Sequence, residues 1–226
     1  MHALRLILGA CIVFVPATTR AEFQISAYGG ANTANGSDVT LDLGASPNSF
    51  EVDWFGDSFN RPPYYGFRGT YWLTGLDMPE WGIGLDFTHA KVEADLDDPS
   101  VGGAFSRLEF TNGLNSLTLN GLYRIPIDGW FTIYVGAGAG ASIPHVEVST
   151  IPATFDTRGY QVTGPVAQAI AGASIKVWQG FSVFGEYKAS YSWNEADLDG
   201  GGSLETDILA HHFALGVSLS MPGLGF

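Results

Sequence analysis

Residues 131–141 alternate strictly between apolar side chains and glycine or polar ones. The run is Phe-Thr-Ile-Tyr-Val-Gly-Ala-Gly-Ala-Gly-Ala, with Gly136, Gly138 and Gly140 on one face. A period of two residues is that of a β-strand. A soluble barrel turns its apolar face inward and its long polar side chains outward. Here the face opposite the apolar one has almost no side-chain volume, which favours the narrow interior of a closed barrel with a lipid-facing exterior.

The first residues are typical of an export signal. Arg5 gives a basic start, residues 6–15 an apolar core, and residues 19–21 an approximate small-x-small cleavage site. We therefore expect a signal peptide over residues 1–21 and a mature domain over residues 22–226. No later segment approaches the ~20 apolar residues of a membrane-spanning helix, so the chain would cross a membrane as strands.

The only cysteine, Cys11, lies inside the expected signal peptide. Its surroundings also resemble a lipoprotein processing site, an alternative disfavoured by the apolar run that continues to Val15. Removal of residues 1–21 would leave no thiol for disulfides or metal binding. The chain has 10 basic and 23 acidic residues, so nucleic acid is not an expected partner. Charged residues make up only 15% of the chain, against ~25% in ordinary soluble domains, which favours a lipid-covered surface.

Eight segments alternate in this way, and they predict an all-β fold: a transmembrane antiparallel up-and-down β-barrel of eight strands. Residues 49–56 also alternate, which leaves open a ten-stranded barrel or a strand pair above the membrane. A soluble β-sandwich is a further alternative. The eight segments lie near residues 22–30, 64–73, 81–92, 114–124, 131–142, 163–176, 181–192 and 208–221.

Short and long connections alternate along the chain. In bacterial barrels the short turns face the periplasm and the long loops face the outside. The long connections are residues 31–63, 93–113, 143–162 and 193–207. On this threading the aromatic residues form two interfacial girdles. The periplasmic girdle would contain Trp81, Trp130, Phe131, Trp178 and Phe181, and the outer one Tyr64, Tyr65, Tyr191 and Trp193.

Strand parity places a set of charged side chains inside the barrel. A hairpin symmetric about Gly200 would set Lys188 opposite His212, with Glu186 one inward position below. We predict that Lys188 and His212 form an acid/base pair whose proton affinity Glu186 adjusts. The alternative is a salt-bridge network that fixes a narrow barrel, because buried charges are costly unless paired. The inward charged residues are Arg68, Asp86, Arg124, Glu186, Lys188 and His212.

Three histidines, His89, His145 and His211, continue the lipid-facing parity and would ring the extracellular rim. They could take part in a site there or only meet lipid head groups.

The last long loop carries a cluster of carboxylates around three glycines. Hard oxygen ligands on a flexible backbone suit Ca²⁺ or Mg²⁺, which predicts a divalent cation at Asp197, Asp199, Glu205 and Asp207. The spacing does not match an EF-hand loop, so a solvated acidic loop is the alternative. The sequence has no glycine-rich phosphate loop or nucleotide fingerprint, and no nucleotide cofactor site is expected.

Several segments next to the loops carry a more specific pattern, and in them the chain resembles the rhizobial-type lipid A oxidases, small outer-membrane proteins of alphaproteobacteria. The likeness covers most of the mature chain. The segments are Leu85–Val92, Arg107–Asn115, Tyr134–Gly138, Pro144–Val148, Gly159–Pro165 and Phe184–Lys188.

This resemblance implies an enzyme of the Gram-negative outer membrane that oxidises the proximal glucosamine of lipid A to 2-aminogluconate. O2 would be the oxidant and hydrogen peroxide the by-product. The partners implied are lipid A or lipopolysaccharide in the outer leaflet, and the outer-membrane assembly machinery. Glu186, Lys188 or His212 would supply the base. The residues expected to bind the substrate are His89, Lys91, Arg107, His145, Tyr160 and Tyr191. The competing expectation is a non-enzymatic barrel, porin-like, structural or adhesive, which the fold alone does not separate from an enzyme.

Overall fold

The computed structural model describes residues 22–44, 47–152 and 155–222, so the expected signal peptide lies outside the described residues. Besides its strands it has a 3-10 helix (Thr74–Leu76) and one helical turn, α1 (Pro99–Gly102). The strands are β1 (Glu22–Ala34), β2 (Ser37–Asp42), β3 (Asn48–Val52), β4 (Trp54–Phe55), β5 (Tyr65–Trp72), β6 (Trp81–Ala90), β7 (Glu93–Ala94), β8 (Phe105–Glu109), β9 (Leu114–Pro126), β10 (Phe131–Ser142), β11 (His145–Thr150), β12 (Asp156–Tyr160), β13 (Gly164–Trp178), β14 (Phe181–Asp197) and β15 (Ser203–Pro222).

Eight of these strands form one closed antiparallel barrel. Its order is β1, β5, β6, β9, β10, β13, β14 and β15, and β1 pairs with β15 to close the ring. The predicted eight-stranded up-and-down barrel is confirmed, and the β-sandwich alternative is wrong. Closure leaves no unpaired strand edge within the ring. A barrel in a lipid bilayer requires this, because lipid offers no hydrogen-bond partner to the backbone. In the described part of the chain, no helix is long and apolar enough to cross a membrane.

The barrel wall has the expected sidedness. Large apolar side chains such as Phe67, Leu85, Leu119 and Leu215 are exposed on the outer face. The inner face is as cramped as the glycine pattern predicts: a Cβ atom on Gly140 would lie 1.8 Å from the carbonyl oxygen of Leu117 on the neighbouring strand. A side chain at that position would therefore force the strands apart.

The alternating residues 49–56 do not join the barrel, so the ten-strand alternative is wrong and the strand-pair alternative is confirmed. They lie in β3 and β4. Strand β2 pairs with the extension of β15 at residues 203–206, and β3 pairs with β2. The remaining loop strands form a second sheet of five strands in the order β12, β11, β8, β7 and β4.

The connections expected to be long loops are therefore largely strand. The clearest case is the last hairpin. Strand β14 continues to Asp197 and β15 begins at Ser203, so that only a short glycine-containing turn separates them. The predicted pairing of Lys188 with His212 is confirmed. On the extended part of this hairpin the inward residues Ala196, Leu204 and Ile208 join a buried apolar cluster, and we attribute the longer strands to this packing.

A buried apolar cluster closes the extracellular end of the barrel. It joins inward residues of the barrel strands, such as Ile208 and Leu204, to side chains of the loop sheet, such as Phe105, Phe110 and Val148. Tyr64, expected in the outer aromatic girdle, is buried on the inside instead, with its ring centroid 6.3 Å from that of Tyr28. Tyr64 directly precedes Tyr65, which faces outward at the start of β5, so the alternation of side chains itself puts Tyr64 on the inner side.

Candidate functional site

The centre of the lumen holds a network of charges built from inward positions of β5, β6 and β14. Arg68 donates through Nη1 and Nη2 to the two carboxylate oxygens of Glu186, each at 2.7 Å. Its Nη2 also donates to Asp86 Oδ2 at 3.0 Å. Arg68 and Asp86 are register partners on adjacent strands, so the sheet itself brings them together. The Tyr134 hydroxyl donates a hydrogen bond to Glu186 Oε2 at 2.9 Å, so that this oxygen accepts from both Arg68 and Tyr134.

Lys188 uses all of its donors in this network. Its Nζ donates to Tyr28 Oη, Asp86 Oδ2 and Thr88 Oγ1, each at 2.8 Å. An ammonium has three protons to donate, so its hydrogen-bonding capacity is filled. The side chain is 1% exposed.

The structure does not join Glu186, Lys188 and His212 as the predicted acid/base group. Glu186 is clamped by Arg68, and His212 hydrogen bonds through Nε2 to Ser190 Oγ at 2.8 Å. The two residues of the expected pair lie on opposed positions of β14 and β15, but each has its own partners. The arrangement is that of the alternative expectation, a network of paired buried charges.

The lumen network is separated from the outside by the apolar cluster above it. Below it lies a cavity of about 290 Å³ at the periplasmic end, lined by residues such as Trp72, Ser182 and Arg124. Arg124 pairs there with Glu22 at 2.7 Å and lies 4.2 Å from the centre of the Trp72 ring. Lys188 and His212 are buried, and in the described part of the chain the apolar cluster lies between them and the extracellular side.

A second polar site lies on the outer wall of the barrel at its extracellular end, and we call it the rim pocket. It has a volume of about 340 Å³. Its floor comes from three adjacent barrel strands, where Tyr65 pairs with His89 and His89 with Asn115. The loop sheet and its connections supply the rest. The rim pocket is lined by Pro62, Tyr65, Phe87, His89, Asn112, Asn115, His145 and Tyr160.

His89 is held rigidly in the floor of the rim pocket. Its ring stacks on Tyr65 with centroids 4.8 Å apart and planes 20° apart, and its Nδ1 lies 2.8 Å from Asn115 Oδ1. Gly113 makes room for both side chains. Its φ of +127° favours glycine, and a Cβ there would lie 2.6 Å from Asn115 Oδ1 and 2.7 Å from His89 Nδ1.

His145 lies on the opposite side of the rim pocket, at the start of β11, and is bound to a carboxylate. Its Nδ1 lies 3.1 Å from Glu147 Oε1. The two residues are two positions apart on one strand, so they share a face. The ring of Tyr160, the register partner of His145, packs edge-on against it at 4.8 Å. The Tyr160 hydroxyl donates to the carbonyl oxygen of Asn112 at 3.2 Å.

Glu147 is itself fixed by two further donors. Arg107 Nη1 donates to Glu147 Oε2 at 3.0 Å and also to Glu109, and Asn112 Nδ2 donates to Glu147 Oε1. Partial burial acts to lower the pKa of the Arg107 guanidinium, but the carboxylates of Glu109 and Glu147 outweigh it and raise that pKa above its usual range. Arg107 therefore stays charged.

The rim pocket collects three of the six residues expected to bind the substrate: His89, His145 and Tyr160. Arg107 acts one step behind it, through Glu147. Lys91 is buried elsewhere, with Nζ 3.0 Å from Asp57 Oδ2, and Tyr191 donates its hydroxyl to Asp207 at 2.8 Å on another part of the rim.

Sequence reasoning missed Asn112, Asn115 and Glu147. The signal for Glu147 was the His-x-Glu spacing on one strand, and the signal for the two asparagines was the Asn-Gly turn that leads into β9.

The expectation that the rim histidines face lipid is only partly met. His89 keeps the outward parity but is buried, because loop residues such as Pro62 and Asn112 cover that part of the wall. His211 is on the outer face, with Nδ1 2.6 Å from the hydroxyl of Tyr187.

The predicted cation ligands do not converge. Asp197, Glu205 and Asp207 lie on exposed outward positions of two long strands, and Asp199 lies in the turn between them. In residues 22–44, 47–152 and 155–222, no three His, Cys, Asp or Glu side chains form a group that could hold a metal ion. A divalent cation at this hairpin stays a prediction without a ligand cluster to support it.

A closed antiparallel barrel with an apolar outer wall and a polar, packed interior defines an integral outer-membrane β-barrel protein. The family model "Outer membrane protein beta-barrel domain" matches residues 6–220, and the chain belongs to this family. The protein is therefore located in the outer membrane of a Gram-negative bacterium. A search of curated proteins finds no match.

Three solved outer-membrane structures illustrate its similarities. Neisserial surface protein A is 12% identical over 88% of this chain and 96% of its own, with a TM-score of 0.49. OprG from Pseudomonas aeruginosa is 14% identical over 89% and 97%, with a TM-score of 0.49. Ail of Yersinia pestis, in complex with the heparin analogue sucrose octasulfate, is 16% identical over 89% and 99%, with a TM-score of 0.41.

Proposed function

We propose that this barrel binds lipid A from the outer leaflet at the rim pocket and oxidises its proximal glucosamine to 2-aminogluconate with O2. The observation that carries the proposal is the position of the pocket. It is a polar recess containing two histidines, and it opens on the lipid-facing wall rather than into the lumen.

The wall beneath the pocket suits an amphiphile. The outward-facing residues of the three strands form rows across the wall, and the pocket row is Tyr65, His89 and Asn115. The next outward row toward the membrane centre is Phe67, Phe87 and Leu117. Phe67 is 54% exposed and Leu117 40%. Acyl chains packed on this second row would place the attached sugar at the first. Burial of apolar surface would supply the affinity, and the polar groups of the pocket the orientation.

The segments that resemble lipid A oxidases also support the proposal. Four of them are far apart in the sequence, yet each contributes to the rim pocket. Leu85–Val92 supplies His89, Arg107–Asn115 supplies Asn112 and Asn115, Pro144–Val148 supplies His145, and Gly159–Pro165 supplies Tyr160. A resemblance caused only by barrel-strand alternation would favour no such convergence.

The reaction balances with O2 as the oxidant. The hemiacetal carbon C1 of glucosamine loses its hydroxyl proton and the hydrogen and electron pair of its C–H bond, which gives a lactone. O2 accepts two electrons and two protons and becomes hydrogen peroxide. Water then opens the lactone to the carboxylate. The protein must bind the sugar, take up the hydroxyl proton and give O2 access to C1.

The test is mass spectrometry of lipid A from a strain that makes 1-dephosphorylated lipid A and expresses this chain. Oxidation adds one oxygen atom to lipid A in aerated cells and none in anaerobic cells. Hydrogen peroxide should appear in membranes of the aerated culture. An unchanged lipid A mass in aerated cells, with the barrel shown to be folded, would overturn the proposal.

A second candidate is a non-enzymatic surface-binding barrel. The observation in its favour is the five-stranded loop sheet, which presents a rigid, structured face to the outside. The porin-like version has no such support, because the apolar cluster and the charge network occupy the extracellular end and the centre of the lumen. The same lipid A measurement separates this candidate from the oxidase.

A further inference from the structure

We infer that His145 is the catalytic base of the rim pocket and that Glu147 is its positioning residue. This assignment rests on the proposed oxidation of a lipid A sugar, and it replaces the expectation that the base lies in the lumen. Three observations carry it: the hydrogen bond between the two residues, the support behind Glu147, and the position of the other described histidines.

The hydrogen bond to Glu147 sets which nitrogen of His145 carries the proton. An ionised carboxylate can only accept, so the His145 Nδ1–H donates to Glu147 Oε1 across 3.1 Å. In a neutral imidazole the lone pair is then on Nε2, which has no hydrogen-bond partner among the described residues. A carboxylate behind one nitrogen and a free lone pair on the other is the arrangement that orients a histidine base.

Glu147 is well fixed for this role. Its carboxylate is held by Arg107 and Asn112 in addition to His145, and the residue is 3% exposed. Tyr160 packs edge-on against the imidazole and limits its rotation. Arg107 and Tyr160 belong to the loop sheet and Asn112 to the turn that leads into β9, so the base is held by elements outside the barrel strands.

The other described histidines lack one of these properties. His89 shares the rim pocket, but its Nε2 is buried and its Nδ1 is bound to Asn115. His212 is enclosed in the lumen. His211 bonds to the hydroxyl of Tyr187 rather than to a carboxylate. In the described chain, His145 alone pairs with a carboxylate.

The proposed step is proton removal from the sugar. His145 Nε2 takes the proton of the C1 hydroxyl as the C1–O bond becomes a carbonyl. The C1 hydrogen leaves with its electron pair, and O2 accepts both. The proton held by His145 passes to the reduced oxygen, which leaves as hydrogen peroxide, and the histidine returns to its neutral form.

The experiment compares purified, folded variants on 1-dephosphorylated lipid A in mixed micelles, with hydrogen peroxide as the readout. His145→Gln should lower kcat by about 10²-fold or more, the usual contribution of a general base. His211→Gln is the matched control, the same change at another outer-face histidine, and should retain the wild-type rate. Imidazole added to His145→Ala should restore part of the rate. Glu147→Gln should lower kcat while KM stays near the wild-type value.

The outcomes distinguish failure of the proposed oxidase function from failure of the assignment of His145 as its base. If the wild-type protein is folded and does not oxidise lipid A, the proposed function fails. If the wild type is active and His145→Gln keeps its kcat, the assignment of the base fails while the function stands. A His145→Gln variant with raised KM and unchanged kcat would likewise overturn the base and leave His145 a binding residue. Heat-modifiable electrophoretic mobility, a measure of barrel folding, is checked for every variant.

Discussion

The lumen network and the rim pocket are built from similar residues but differ in whether a side-chain donor or acceptor remains without a hydrogen-bond partner. Both contain acidic and basic side chains within hydrogen-bond distance. In the lumen, Lys188 uses its three donors and Glu186 is bound on both oxygens. At the rim, the carboxylate of Glu147 is equally well bound, but His145 keeps an unused nitrogen toward an open recess.

This difference separates a structural group of charges from a reactive one. Buried charges are tolerated when every charge is paired, and such groups fix a geometry without being accessible to a ligand. A reactive site needs one group left open and the others fixed around it. Buried, paired carboxylates in a barrel interior are thus a weaker indication of catalysis than a partly exposed histidine with an oriented partner.

The largest expected effect comes from breaking the lumen network. Arg68→Met leaves Glu186 and Asp86 without their shared partner, and removal of one member of a buried ion pair costs about 3–5 kcal/mol. The free energy of unfolding in detergent, followed by tryptophan fluorescence in a urea titration, should fall by that amount. Arg158→Met is the control, since the Arg158–Asp156 pair is exposed, and it should cause no measurable loss. Equal stability of the two variants would contradict the assignment of the network as a structural element.

A smaller effect, confined to the rim pocket, is expected from Gly113→Ala. The positive φ makes a side chain strained there by about 1–3 kcal/mol, and the new Cβ would displace His89 and Asn115. Lipid A oxidation should fall at least about tenfold with the barrel intact. Gly159→Ala is the matched control, because a Cβ there meets no atom within 4 Å. A folded Gly113→Ala variant that oxidises lipid A at the wild-type rate would contradict the placement of the substrate in the rim pocket.

The smallest effect is a pH dependence in the loop sheet. Burial raises the pKa of Glu93, and the neighbouring carboxylates of Glu109 and Asp57 raise it further. Glu93 and Glu109 are register partners on β7 and β8. A carboxyl whose pKa is higher in the folded than in the unfolded state favours folding while it is protonated. That contribution is lost as pH rises from the ordinary range of a glutamate through the raised pKa.

Glu93→Gln should therefore make the loop sheet more resistant to protease at neutral pH, within a few-fold, and this difference should vanish at pH values below the ordinary titration of a glutamate. Glu80→Gln, in a periplasmic turn, is the control and should leave loop cleavage unchanged. A difference that grows as the pH falls would have the wrong sign and would contradict the explanation.

The barrel was predictable because its strands obey a simple alternation between lipid and a narrow interior. The pairing of Lys188 with His212 followed from the same count. Above the membrane this rule no longer applies, and residues 93–113 and 143–162 form strands some of whose partners lie in other loops. The pairing of these strands depends on long-range packing. The local sequence pattern therefore did not predict that β11 would place His145 and Glu147 beside the outer wall of the barrel.

The candidate site was predictable only in part, because it also depends on the long-range packing of the loop strands. His89, His145 and Tyr160 could be named from the sequence, but their meeting in one recess depends on β11 and β12 folding over the wall. The lumen residues could be placed correctly by parity, whereas parity says nothing about which donors are already used. That Lys188 Nζ already donates to Tyr28, Asp86 and Thr88 is a property of the folded state.

The seam between β1 and β15 joins the two ends of the described chain: Phe23 pairs with Met221 and Ala34 with Ala210. Contacts between residues so distant in sequence are slow to form, because the whole intervening chain must first be confined. Until the last strand arrives, the first and seventh strands of the ring each present an unpaired row of amide groups. A nascent chain of this protein therefore has to be shielded until β15 has been made, and removal of β15 would leave an open, adhesive sheet instead of a smaller ring.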